Sequence, residues 1–99
     1  MPSWVYFLHP PRDDFAATMT DHEAEVFGEH FEHLSRLLAE GDLILAGPTL
    51  GSTNTGLCVF DAPDEAAARA VMESDPAIAR GVVTGELREM RVSLLRGRD

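Results

Sequence analysis

The chain has 99 residues, 44% of them hydrophobic and 25% charged, which is ordinary for one globular domain and too short for two independent cores. The formal net charge is −9, and all eight basic residues are arginine. Nucleic acids and anionic membrane surfaces both call for a basic footprint, so neither is an expected partner.

Five arginines (Arg80, Arg88, Arg91, Arg96 and Arg98) fall late in the chain, mixed with Glu86, Glu89 and Asp99. That is the pattern of a solvated strand face and tail. The single cysteine, Cys58, excludes an internal disulfide, and no Cys/His spacing suits a structural zinc. The N-terminus lacks the basic region and apolar length of a signal peptide, and no stretch approaches the roughly 18 apolar residues of a membrane span. A cytoplasmic location is expected.

In chain order, Trp4–His9 is an apolar and aromatic run stopped by Pro10 and Pro11, read as a strand buried on both faces. Arg12–Met19 is a polar loop. Thr20 and Glu23 have the spacing of a capping box, and Ala24, Phe27, Phe31, Leu34 and Leu38 then recur at helical intervals until Gly41. Gly28 sits mid-helix, either tolerated or admitting a neighbouring backbone. Asp42–Gly47 and Gly56–Asp61 are two further strands around a turn-rich hairpin loop, Leu50–Thr55. Pro63 fits a first helical position, with Ala67, Ala70 and Val71 as the apolar stripe and an end near Ser74, because Asp75 precedes Pro76. Ala77–Gly81 is a short extra turn. Val82–Leu95 reads as a long strand with a bulge around Gly85–Arg88, since Leu87 is out of phase with Met90, Val92 and Leu94.

The order β-α-β-β-α-β with right-handed crossovers is the α+β, ferredoxin-like arrangement, a four-stranded antiparallel sheet with both helices on one face. One domain spans residues 1–99. The uncovered sheet face, apolar along the first and third strands, implies a second copy packed against it as a dimeric α+β barrel.

His9, His22, His30 and His33 are the side chains that titrate near neutrality. His30 falls at the edge of the helical stripe, whereas His33 and His22 point towards solvent. A half-sheltered helix histidine such as His30 is by itself more often structural than catalytic. Asp75 faces an unfavourable dipole at a helix end. The fold can bring it towards His30, but spacing alone favours a turn-forming role before Pro76. A metal site from His9, His30 and Asp75 is a minor alternative. Cys58, mid-strand, is a small buried residue rather than a reactive thiol.

The sequence resembles the YciI-like family of small dimeric α+β barrel proteins. The resemblance rests on His30 eleven positions before Gly41, on the strand Leu43–Pro48 ending Ala46-Gly47-Pro48, and on Ser74-Asp75-Pro76 followed by Gly81-Val82. It implies a ferredoxin-like homodimer whose proposed active site is a His–Asp pair, here His30 and Asp75. One branch of the family is a lactone dehydrochlorinase, and muconolactone isomerase barrels have a comparable architecture. The stretch from Pro10 to Glu29 is longer than in the shortest members and is expected to line or cover the cleft.

A carboxylate on one imidazole nitrogen fixes the tautomer of a base at the other. The reading is therefore a small enzyme of lyase or isomerase type, needing neither cofactor nor metal, that removes a proton next to a carbonyl or lactone. His30 and Asp75 are the catalytic candidates. His9 and Arg12, at the cleft mouth, are the candidates for substrate binding. The alternatives are a non-catalytic barrel that binds a small metabolite or serves as an accessory subunit, and a cofactor-free monooxygenase-like activity.

Overall fold

The computed structural model describes residues 1–97, so Arg98 and Asp99 of the late charge cluster lie outside the described residues. The elements are β1 (Ser3–His9), α1 (Asp21–Ala39), β2 (Leu43–Pro48), β3 (Gly56–Asp61), α2 (Glu65–Glu73), α3 (Pro76–Ala79) and β4 (Thr84–Met90). The strands form one antiparallel sheet in the order β2-β3-β1-β4. Each helical crossover skips one strand, which makes this the split βαβ of the ferredoxin-like α+β fold. The two most apolar strands, β1 and β3, occupy the centre, where both edges are paired.

Alternation along β1 sends Trp4, Tyr6 and Leu8 to the helical side, where they join Cys58 and Phe60 of β3 in the core. Val5 and Val59 pair across the strands on the opposite face and are also buried. That face is not uniformly apolar. Ser3 donates to Asp61 at 2.8 Å at one end, and His9 meets Glu86 at 2.8 Å at the other, so polar pairs bracket an apolar centre.

α1 opens as the sequence dictates. Thr20 accepts from the Glu23 amide while the Glu23 carboxylate accepts from the Thr20 amide, which completes the capping box. Gly41, at φ 85°, ends the last turn in a conformation that suits glycine. The buried line, however, is Val26, His33 and Leu37, about a third of a turn around the helix from the expected stripe. Phe31 and Leu38 are 71% and 61% exposed. The wheel misplaced the centre because His33 counts as polar, yet it lies on the line that faces the sheet. Gly28 has open space where a Cβ would stand, so no backbone approaches it.

α2 is capped by Asp64, whose carboxylate accepts from the Ala67 amide at 2.8 Å; Pro63 precedes the cap rather than starting the helix. Its buried residues are Ala68 and Met72, flanked by Ala67 and Val71, while Ala70 faces out.

β4 is shorter than expected and carries no bulge. Its pairing with β1 runs unbroken from Thr84 opposite His9 to Met90 opposite Ser3. Leu87 and Met90 differ in phase because they lie on opposite faces, Leu87 beside Tyr6 on the helical side. The strand stops at Met90 because β1, its neighbour, begins at Ser3 and offers nothing further to pair with. The irregularity sits instead in β2, between Leu43 and Leu45.

Candidate active site

The turn between α2 and α3 places Asp75 at the N-cap of α3, where its Oδ1 accepts from the Ala77 amide at 3.0 Å. The carboxylate thus lies at the positive end of the next helix rather than merely at the negative end of α2. Turn formation and contact with His30 are not alternatives. His30 Nδ1 lies 2.7 Å from Asp75 Oδ2 and 2.9 Å from Oδ1. Tyr6 Oη donates to Oδ2 at 2.7 Å. One fully buried carboxylate therefore gathers a strand hydroxyl, a helix imidazole and a backbone amide.

Burial alone would push the Asp75 carboxyl up. The hydrogen bond and charge of His30, the Tyr6 hydroxyl and the Ala77 amide outweigh it and hold the group below its ordinary 3.8. An ionised carboxylate only accepts, so Nδ1 must carry a proton. In the neutral imidazole the lone pair is then on Nε2, which has no hydrogen-bond partner among the described residues. The surroundings keep the other acids neutral. Burial, Cys58 and Asp75 raise the Tyr6 phenol far above its usual range, and burial pushes the Cys58 thiol up to about 12.

The His30 side chain keeps 13% exposure, and that opening is a cavity of about 620 Å³ between α1, β2 and the loop after β1. Phe27, Phe31, Leu34 and Leu38 supply the α1 wall, and Leu43 and Ala46 the β2 wall. Phe15, Ala16 and Met19 close it from the 12–19 loop, so the Pro10–Glu29 stretch does line the cleft. Phe27 packs against the His30 ring, with centroids 5.0 Å apart.

His9 and Arg12 are not part of this constellation. His9 projects from the other sheet face, stacked on Phe7 and held by Glu86. It cannot meet His30 and Asp75 at one ion, so that metal alternative has no geometry. Arg12 grips Glu23 through both terminal nitrogens, at 2.9 and 2.7 Å, and donates to Thr18. Its guanidinium lies 5.2 Å above the Phe15 ring, so it braces the cavity's closing loop from outside. His22 is exposed, as its position suggested.

His33 is buried, contrary to expectation, and its Nε2 meets no partner among the described residues. Burial lowers its pKa; Arg36 and His30 push the same way, while Asp75 and the Val71 backbone oppose.

Sequence reasoning missed Tyr6. Its signal was a phenol in phase with Trp4 and Leu8 on the core side of a strand, where a buried hydroxyl must find an acceptor.

Comparison with solved structures finds 5-chloro-2-hydroxyhydroquinone dehydrochlorinase from Burkholderia phenoliruptrix AC1100, in complex with 2,5-dihydroxybenzoquinone. The two share 17% identity over 92% of this chain and 94% of that one, with a TM-score of 0.68, which is a likeness of fold. Comparison with curated protein sequences finds no match. The YCII-related domain pattern matches residues 4–91, nearly the whole chain, and the protein accordingly belongs to the YCII-related, YciI-like family.

Proposed function

We propose that the protein is a small enzyme of lyase or isomerase type in which His30 removes a proton next to a carbonyl or lactone carbon. The observation that carries this reading is the clamp of Asp75 on His30 Nδ1 at 2.7 and 2.9 Å, with the ring opening onto the cavity. In the reaction, Nε2 takes the proton as the C–H bond breaks, and the electron pair moves onto the carbonyl oxygen. The imidazolium is stabilised by the Asp75 carboxylate. The same proton then returns to a different carbon, or the electrons expel a leaving group. Positioned base catalysis of this kind is worth about 10²–10⁴-fold. His30 is the catalytic residue, and Asp75 and Tyr6 position it. A dehydrochlorinase built on the same fold supports the enzymatic reading without fixing the substrate.

The decisive test is exchange of the α-proton for deuterium in a panel of enolisable ketones and lactones. His30→Ala should reduce exchange by at least 100-fold while the circular dichroism spectrum stays unchanged. Exchange that survives the substitution would leave a metabolite-binding barrel as the better description. Imidazole ¹⁵N shifts provide a second readout. The wild type should show protonated Nδ1 and bare Nε2 at His30, and Asp75→Asn should lose that fixed tautomer.

A homodimer belongs to the same proposal. On the face away from the helices Val5 and Val59 are already buried within one chain while Phe7 beside them is only partly covered, and a second copy packed face to face would cover it.

A further inference from the structure

The cavity's chemistry says what can sit beside His30, granted that the pair works as proposed. Its wall is formed mainly by apolar side chains of α1, β2 and the 12–19 loop, with Leu8 of β1 and Leu57 of β3, and among the described residues no arginine, aspartate or glutamate lines it. Other polar side chains on the wall are already engaged. Ser35 Oγ donates to the Phe31 carbonyl. Asn54 accepts from the Ala16 amide and donates to the carbonyls of Thr49 and Gly51. Arg12, the guanidinium of the closing loop itself, is held by Glu23 and Thr18. The chain as a whole carries nine negative charges in excess, which repels anions before they arrive. A carboxylate or phosphate entering here would lose its hydration and meet no counter-charge.

Size points the same way. A void of about 150 Å³ already holds benzene, and this cavity is about 620 Å³. Phe31 and Leu38 extend the apolar wall onto the surface, where both are largely exposed. We infer that the site takes uncharged, largely apolar molecules bigger than a single ring, with one hydroxyl or enolisable carbonyl at His30 and an apolar body along Phe31 and Leu38. A ligand hydroxyl donates to His30 Nε2, which has no partner among the described residues, whereas an enolisable carbonyl turns its α-C–H towards that nitrogen. The ligand's tail replaces water on the α1 wall, where burial of each methylene adds to affinity.

Calorimetric titration with 4-ethyl-, 4-butyl- and 4-hexylphenol at pH 7.5 tests this, because binding is read without turnover. Affinity should rise along the series, by up to about fourfold per added methylene. 4-Hexylbenzoate should bind at least tenfold more weakly than 4-hexylphenol. 4-Hexylanisole, which has no proton to give Nε2, should also bind more weakly. Leu38→Arg, at an exposed position, should leave the fold unchanged and narrow the gap between benzoate and phenol. A flat series, or benzoate at parity with phenol on the wild type, overturns the inference whatever His30 does in catalysis. Conversely, a rising series together with proton exchange that survives His30→Ala keeps this ligand class and discards the enzymatic role.

Discussion

Asp75 is where several demands meet on one side chain. It caps α3, accepts from Tyr6 and holds the His30 ring, and these contacts keep a fully buried carboxylate ionised. Tyr6→Phe removes one hydrogen bond to that charge and should cost about 1.5–3 kcal/mol in denaturant unfolding. It should also loosen the His30 tautomer, detectable in the ¹⁵N spectrum. The pH dependence follows from the direction of the Asp75 shift. Its folded pKa lies below the unfolded 3.8, so its contribution is complete above that value and is lost as pH falls through the folded pKa. The stability advantage of wild type over Asp75→Asn should therefore shrink below about pH 4, measured by urea unfolding at stepped pH. The turn role of Asp75 was legible from its place before Pro76. Its contact with His30 is a tertiary fact that spacing alone could not decide, and it entered the reading through family resemblance. Tyr6 went unread because strand patterning counts tyrosine as one more large apolar residue.

At the scale of elements, close approaches of sheet and helices separate two glycines. A Cβ at Gly56 would meet Leu8 Cδ1 at 2.8 Å and Leu8 Cβ at 3.0 Å, the second being anchored on a central strand. A Cβ at Gly85 would meet Ile78 Cδ1 at 2.8 Å and Met72 Sδ at 3.0 Å, atoms far out on flexible side chains. Gly56→Ala should accordingly destabilise by about 1–3 kcal/mol, and Gly85→Ala by less, as thermal unfolding of the pair would report. α1 carries its own pH signature through His33. A depressed imidazole pKa means that its contribution is complete above the unfolded 6.5 and declines as pH falls towards the folded value. His33→Leu should remove that decline, seen as a flatter stability curve just below pH 6.5. Elements with strong local punctuation were readable: the Thr20 capping box, the Gly41 stop and the strand Gly56–Asp61 all stand where the residues put them. What failed needed knowledge of neighbours. β4 ends where its partner runs out, and α1 turns His33, not Phe31, towards the sheet.

For the whole molecule, the proposed pairing of sheet faces predicts sedimentation at twice the 10.8 kDa chain mass at micromolar concentration. A stable monomer there would remove the dimer from the proposal. The ferredoxin-like order was legible because six elements in that alternation leave few right-handed arrangements. The composition of the open face was less so, since its polar ends arise from pairing registers that set Ser3 beside Asp61 and bring His9 to Glu86. One further feature bears on how such a protein diversifies. The loop after β1 and the β2–β3 hairpin are hooked together, Asp14 donating to the Ser52 carbonyl at 2.7 Å and the Ala16 amide to Asn54 at 3.0 Å. Both segments border the cavity, and neither hydrogen-bonds to His30 or Asp75. They form a cassette that evolution, or a protein engineer, must exchange as a unit: a graft of one loop without the other breaks the hook, while a graft of both carries a new selectivity onto an unaltered proton-handling base.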